Sequence, residues 1–206
     1  MKRVWYVLFF VVLLLPIITW GNSFGWDFSL FNLFLLFPLL GLLTFSVVWI
    51  QVLVGAFGDY FSGLFNLDVF YARTGLAVLI LFVSHPLVAA IAQLNATGLW
   101  PLESLFALAP PSHKAFLIIG MIVFVLWIIY EILLRLSSIP RVQKIASWWE
   151  HVADIGVLLI WYHGYKLGSH TSFGWFMYVW WVMGVTALVF VVWKIVKKIR
   201  SSINAN

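Results

Sequence analysis

The sequence predicts an all-α polytopic membrane protein, a six-helix transmembrane bundle that forms a single domain over residues 1–206. Three observations carry that reading. The chain is 64% apolar and only 9% charged, far from the balance of soluble domains. Its apolar residues fall into six runs of roughly bilayer-spanning length. Its Lys and Arg residues gather beside alternate ends of those runs, where they set orientation.

The runs lie at about 4–20, 29–55, 73–95, 115–137, 149–168 and 173–196. The first follows Met1-Lys2-Arg3 and reaches Thr19. It begins like a signal peptide, but it is followed by Trp20-Gly21-Asn22-Ser23 and no clear small-x-small cleavage site, so a retained signal-anchor helix is expected. Gly58-Asp59-Tyr60 and Asn66-Leu67-Asp68 close the second run, and Arg73 opens the third. The longest connection, from Asn95 to Lys114, carries Pro101 and Pro110-Pro111. Ser137-Ser138-Ile139-Pro140-Arg141 separates the fourth run from the fifth, and Gly168-Ser169-His170-Thr171 the fifth from the sixth. The sixth ends in Lys194-Ile195-Val196-Lys197-Lys198-Ile199-Arg200, a stop-transfer anchor facing anionic lipid. No internal repeat is visible.

Composition excludes several classes. With no cysteine there is no disulfide, thiol catalysis, iron–sulfur ligation or covalent haem attachment. The net charge of +5 sits at the ends of apolar runs, which points to membrane lipid and not to nucleic acid. The 13 Trp residues suit membrane–water interfaces. With the N-terminus in the cytoplasm, Lys2, Arg3, Arg73, Arg135, Arg141, Lys144, Lys194, Lys197, Lys198 and Arg200 fall on the inner side. Only Lys114 and Lys166 fall outside. The expected location is the plasma (inner) membrane with both termini cytoplasmic.

Three histidines stand in apolar surroundings: His85, His151 and His163. Intramembrane imidazoles are costly, and metal or haem ligation and proton relay are their commonest uses. His85 lies 12 residues after Arg73, and His163 lies 14 after Trp149. The third and fifth segments should run in the same direction, which puts the two imidazoles within a few ångströms of equal depth, as a bis-histidine haem requires. His151 precedes His163 by 12 residues, roughly 18 Å lower and about 120° around the helix.

These segments resemble the ferric-reductase-like transmembrane family. It includes NADPH oxidases, ferric reductases and the haem-binding membrane subunit of the periplasmic methionine sulfoxide reductase system. Arg73-Thr74-Gly75-Leu76-Ala77 followed by His85 is similar to the family's Arg-x-Gly-Leu start and haem-ligating His. Trp148-Trp149-Glu150-His151 followed by His163 is similar to its Trp-x-x-His start and second His. The resemblance covers about residues 30–195 and rests on short motifs. It implies that His85 and His163 ligate an outer b-type haem, and that His151 stands where an inner-haem ligand would. Arg73 would pair with inner-haem propionates or anchor its helix.

The chain departs from the oxidase pattern in three ways. No second histidine lies lower on the third segment, where Phe70, Tyr71, Ala72 and Thr74 stand. The fifth-segment histidines are 12 apart where the family commonly has 13. No counterpart of the oxidases' flavin and nicotinamide domain is present, as in the sulfoxide reductase subunit. One haem b is therefore expected. A second would need His151 with a non-histidine ligand, a five-coordinate iron or a shared ligand.

Each polar residue also has a structural reading. His85 and His163 would serve as buried histidines bonded to neighbouring helices, Pro86 freeing a carbonyl for such a bond. His151 would pair with Asp154 at the interface, and Glu131 with Arg135 at i, i+4. His113 and His170 fall in outer connections as solvated side chains. Asp27, Asp59, Asp68 and Glu103 read as ordinary solvated charges.

The function expected is an oxidoreductase subunit that moves electrons across the bilayer. Flavin or quinone would be the external donor, through a cytoplasmic flavin reductase or a quinol, and a periplasmic protein, ferric iron or oxygen the acceptor. The alternatives are a proton-coupled transporter relaying through His85, His151, His163, Glu131 and Asp154, or a non-catalytic membrane assembly protein.

Overall fold

The computed structural model describes residues 2–204; Met1, at the head of the basic N-terminal flank, lies outside the described residues. These form α1 (Lys2–Ser23), α2 (Leu33–Ala56), α3 (Gly58–Ser62), α4 (Leu67–Thr97), α5 (Pro101–Leu108), α6 (Pro111–Arg135), α7 (Pro140–Leu167), α8 (Ser169–Ser172) and α9 (Gly174–Asn204), with a 3-10 turn at Phe28–Leu30. No strand occurs among the described residues, so the all-α class holds.

Five helices, α1, α2, α4, α6 and α9, are long and apolar enough to cross a membrane. The fifth expected span belongs to α7, which has 28 residues but carries Arg141, Lys144, Glu150, His151, Asp154, His163 and Lys166. It is long enough to span and too polar to be counted with the other five on composition.

Local chemistry sets the boundaries. Asn32 and Asn66 cap α2 and α4, their side chains accepting from the backbone N–H of Leu35 at 3.1 Å and Val69 at 3.0 Å. α4 thus begins ahead of Arg73 and takes Phe70 and Tyr71 into its first turns. Pro111 and Pro140 open α6 and α7 at positions where a missing N–H costs nothing. Gly98, at φ 67°, stops α4 in the left-handed conformation that favours glycine.

Contacts establish the helix directions. Gln51 of α2 meets Thr74 of α4 while Phe37 meets His85, so that pair is antiparallel. Leu126 of α6 meets Trp149 of α7 while Phe116 meets His163, so that pair is antiparallel too. α2 and α9 advance together, with Trp49 on Thr186 and Phe57, at the end of α2, on Phe190. α9 runs against α7, with Trp180 on Trp161 and Lys194 on Asp154. α4 and α7 therefore point the same way, as the sequence predicts for the third and fifth segments.

α2 is the central helix. Phe45, Val48, Ile50 and Val54 are buried among α1, α4, α7 and α9. α4 packs on α2 and α6 on α7, and both carry mostly exposed apolar surface, including Ile80, Leu87, Ile118 and Val125, the composition lipid contact requires. Tryptophan does more than mark interfaces. The indole N–H of Trp20 donates to the Leu35 carbonyl at 2.6 Å, that of Trp49 to Thr186 Oγ1 at 2.9 Å, and that of Trp149 to the Leu126 carbonyl at 3.1 Å. Trp161 and Trp180 each donate to the other's carbonyl, at 2.9 and 3.1 Å, and join α7 to α9. Trp26, Trp100 and Trp148 remain exposed, as interface anchors would.

Candidate functional site

Two histidines are held in the same way by two helix pairs. His85 on α4 lies 2.7 Å from the carbonyl oxygen of Phe37 on α2 through Nδ1. His163 on α7 lies 2.8 Å from the carbonyl oxygen of Phe116 on α6, also through Nδ1. A carbonyl only accepts, so each Nδ1 carries the proton and donates it, and each Nε2 keeps its lone pair. Neither Nε2 bonds to a described residue, and neither is buried without a partner.

Glycine makes both approaches feasible. Gly41 lies one turn beyond Phe37, and a Cβ there would stand 2.9 Å from His85 Cε1. Gly120 lies one turn beyond Phe116, and a Cβ there would collide with the His163 ring. Phe37-x3-Gly41-x3-Phe45 on α2 and Phe116-x3-Gly120-x3-Phe124 on α6 are the same pattern, 79 residues apart. The chain therefore carries a repeat that composition and hydropathy conceal. Each copy is a helix of one direction supplying a carbonyl and a glycine, followed by a return helix supplying a histidine. Phe82 of α4 meets Phe124 at 5.2 Å and Trp127 at 4.7 Å, so aromatic rings join α4 to α6 beside the pair.

His151 is not brought to this pair. It sits beside Lys198 of α9, whose ammonium donates to Nε2 at 3.1 Å and engages the lone pair a metal would need. Its expected pairing with Asp154 is replaced: Asp154, buried, accepts from Lys194 Nζ at 2.8 and 3.0 Å, and Glu150 lies 3.4 Å from the same ammonium. A charged Lys is a stronger partner than an imidazole for a carboxylate shielded from water. Arg73 is exposed on α4. Glu131 and Arg135 form the expected i, i+4 ion pair at 2.8 Å.

Outside the helix pairs, one expectation needs correction. His170, expected to be solvated, is half-buried in α8 with Nε2 sealed off and unpartnered. Burial lowers its pKa from the usual imidazole value. Asp59 is exposed, as expected of a solvated charge, and pairs with Lys197 across to α9. Lys166, one turn beyond His163, packs its ammonium over Phe116, Tyr162 and Tyr165 at 5.5 to 5.7 Å.

A cavity of about 740 Å³ lies nearer the Lys194 end of the bundle, among α2, α4, α6, α7 and α9. Its lining includes Tyr71, Tyr130, Glu131, Glu150, Asp154 and Lys194. His85, His151 and His163 are not among its lining residues. Tyr130 and Gln51, which also line it, leave no signal in the sequence, because single polar residues in apolar runs carry no motif. The glycine pair left a signal, the repeated Phe-x3-Gly-x3-Phe, which is legible once it is tied to the histidine each copy faces.

No group of three or more His, Cys, Asp or Glu side chains suited to a metal ion occurs among the described residues. Among known proteins, no family model, curated protein or solved structure matches this chain.

Proposed function

We propose that the chain is a b-type haem membrane protein, ferric-reductase-like, that carries electrons across the bilayer to an acceptor on the outer side. The observation that carries this reading is the matched support of two imidazoles. A metal-ligating histidine usually donates its other ring N–H to a carbonyl or carboxylate, which sets its tautomer and orientation. His85 and His163 each do so to a backbone carbonyl on a different helix. The residues present fit a bis-histidine haem: two neutral imidazoles with available Nε2 lone pairs on parallel helices, each ring seated over a glycine.

Bound between them, haem would supply a one-electron ferric–ferrous couple. The protein's own part is to hold the imidazoles rigidly and keep the surroundings apolar. Phe37, Phe116, Phe82 and Phe124 do this around the pair. In this reading α7 is the sixth span, both termini face the cytoplasm of an inner membrane, and the apolar outer surface meets lipid. Electrons come from a cytoplasmic flavin reductase or a quinol and leave to a periplasmic acceptor. His151, engaged by Lys198, is the weaker candidate for any second haem, and Arg73 for its propionates. The transporter alternative gains little from the repeat, which relates helix pairs of the same direction and is not inverted.

The test is the reduced-minus-oxidised absorption spectrum of purified protein from haem-sufficient cells. A low-spin haem signal is expected, lost in His85→Ala and in His163→Ala and kept in His113→Ala. A colourless preparation overturns the reading.

A further inference from the structure

We propose that the 740 Å³ cavity holds the headgroup of a phospholipid with a primary ammonium, of the phosphatidylethanolamine class, whose acyl chains leave between α4 and α6. The lining is amphiphilic along the bundle. Its charged residues, Glu131, Arg135, Glu150, Asp154 and Lys194, all stand at the Lys194 end of the helices. Val48, Val78, Trp127 and Val157 line it on the side of the histidines. Val157 lies seven residues beyond Glu150 on α7, so about 10 Å of helix separates the charged end from the apolar one. A lipid lying along the bundle changes polarity in the same direction.

The cavity also reaches the lipid-facing surface. Leu76 on α4 and Leu134 on α6 line it and are 55% and 42% exposed. Those two helices join through the rings of Phe82, Phe124 and Trp127, which lie nearer the histidines, so the opening is between their other halves. The volume falls within the roughly 300–1,000 Å³ of small-molecule sites and takes a headgroup with the first part of its chains. The rest of the chains would lie on the exposed apolar surface of α4 and α6.

Charge selects the headgroup. Three carboxylates in the lining meet two cations. Asp154 takes both contacts from Lys194, at 2.8 and 3.0 Å, and Glu131 takes Arg135 at 2.8 Å. Glu150 only shares the Lys194 ammonium, at 3.4 Å, and 43% of its side chain is exposed. This surplus carboxylate accepts a charge-assisted hydrogen bond from a headgroup ammonium. A choline headgroup has no N–H to donate, and a glycerol headgroup has no cation and adds to the surplus negative charge. The phosphate finds donors in the same wall. Arg135 holds Glu131 through Nη1, which leaves its other guanidinium N–H groups for a phosphate oxygen. The Tyr130 hydroxyl, also in the lining, makes no hydrogen bond to a described residue and can donate as well. No histidine lines the cavity, so lipid binding does not rest on the haem reading.

The full chain in detergent is titrated with the dioleoyl forms of phosphatidylethanolamine, phosphatidylcholine and phosphatidylglycerol, and bound lipid is counted by native mass spectrometry. One phosphatidylethanolamine should bind per chain, about tenfold more tightly than either other lipid, the effect of one charge-assisted hydrogen bond. Glu150→Gln should abolish the preference over phosphatidylcholine. Gly75→Leu, at a lining position where a Cβ meets nothing within 4 Å, should fill the space and lose the bound lipid while favouring the helix. Tyr178→Phe, on an exposed face of α9, should change nothing. Circular dichroism checks that the variants fold. Equal binding of the three lipids, a preference for phosphatidylglycerol, or a preference that either Glu150→Gln or Gly75→Leu leaves intact overturns the proposal.

Discussion

Two glycines decide where two histidines can be. Gly41 and Gly120 have no side chain at the point where the His85 and His163 rings press against the neighbouring helix. Adding a methyl group at Gly120 would push the His163 ring away from the Phe116 carbonyl. Gly120→Ala should therefore cost about 1–3 kcal/mol, the range for overpacking a fitted site. Gly41→Ala should cost less, since its Cβ would approach His85 less closely. Denaturant unfolding in detergent measures both, and equal or negligible losses would remove the steric account. The histidines themselves were legible, because an imidazole in an apolar run stands out. Their carbonyl partners were not, since a backbone oxygen leaves no trace in a sequence.

Between elements, α7 is tied to its neighbours by polar groups more than the other long helices are. Its indoles bond to α6 and α9, and its Asp154 takes a bidentate contact from Lys194. Asp154 is almost wholly buried and Lys194 is 22% exposed, so removing one partner leaves a poorly solvated charge. Asp154→Asn should destabilise the fold by about 1–3 kcal/mol, less than a fully buried pair because Glu150 and water still reach Lys194. Asp154→Asn with Lys194→Met should recover much of that loss in the same unfolding measurement. A double variant no better than the single one would mean that the pair is not coupled. Spacing along α7 alone puts His151 beside Asp154, and the partner that prevails, Lys194, comes from α9.

Across the whole molecule, α7 stands apart from the other long helices in composition. Five helices meet the length and composition for spanning and α7 does not. Its polar groups nonetheless face partners on α6 and α9, which lets a polar helix reside in a bilayer. The chain has no native cysteine, so single cysteines report sidedness cleanly. Ser138→Cys should react with a membrane-impermeant maleimide only from the inner side, and Ser169→Cys only from the outer side. Labelling of both from one side would show that α7 does not cross.

The sequence by itself determined the helical class, the apolar runs and the three histidines, because composition and hydropathy act on each segment separately. It also predicted the common direction of the third and fifth segments, which alternation imposes. Tertiary structure decided which carbonyl orients each ring, which partner Asp154 and His151 take, and where the cavity opens. Those depend on which helix packs against which: α2 sits centrally, α6 is carried by α7, and α4 and α6 touch through rings. Helix rotation and pairing come from close packing of many side chains at once, and a linear pattern records only one helix at a time.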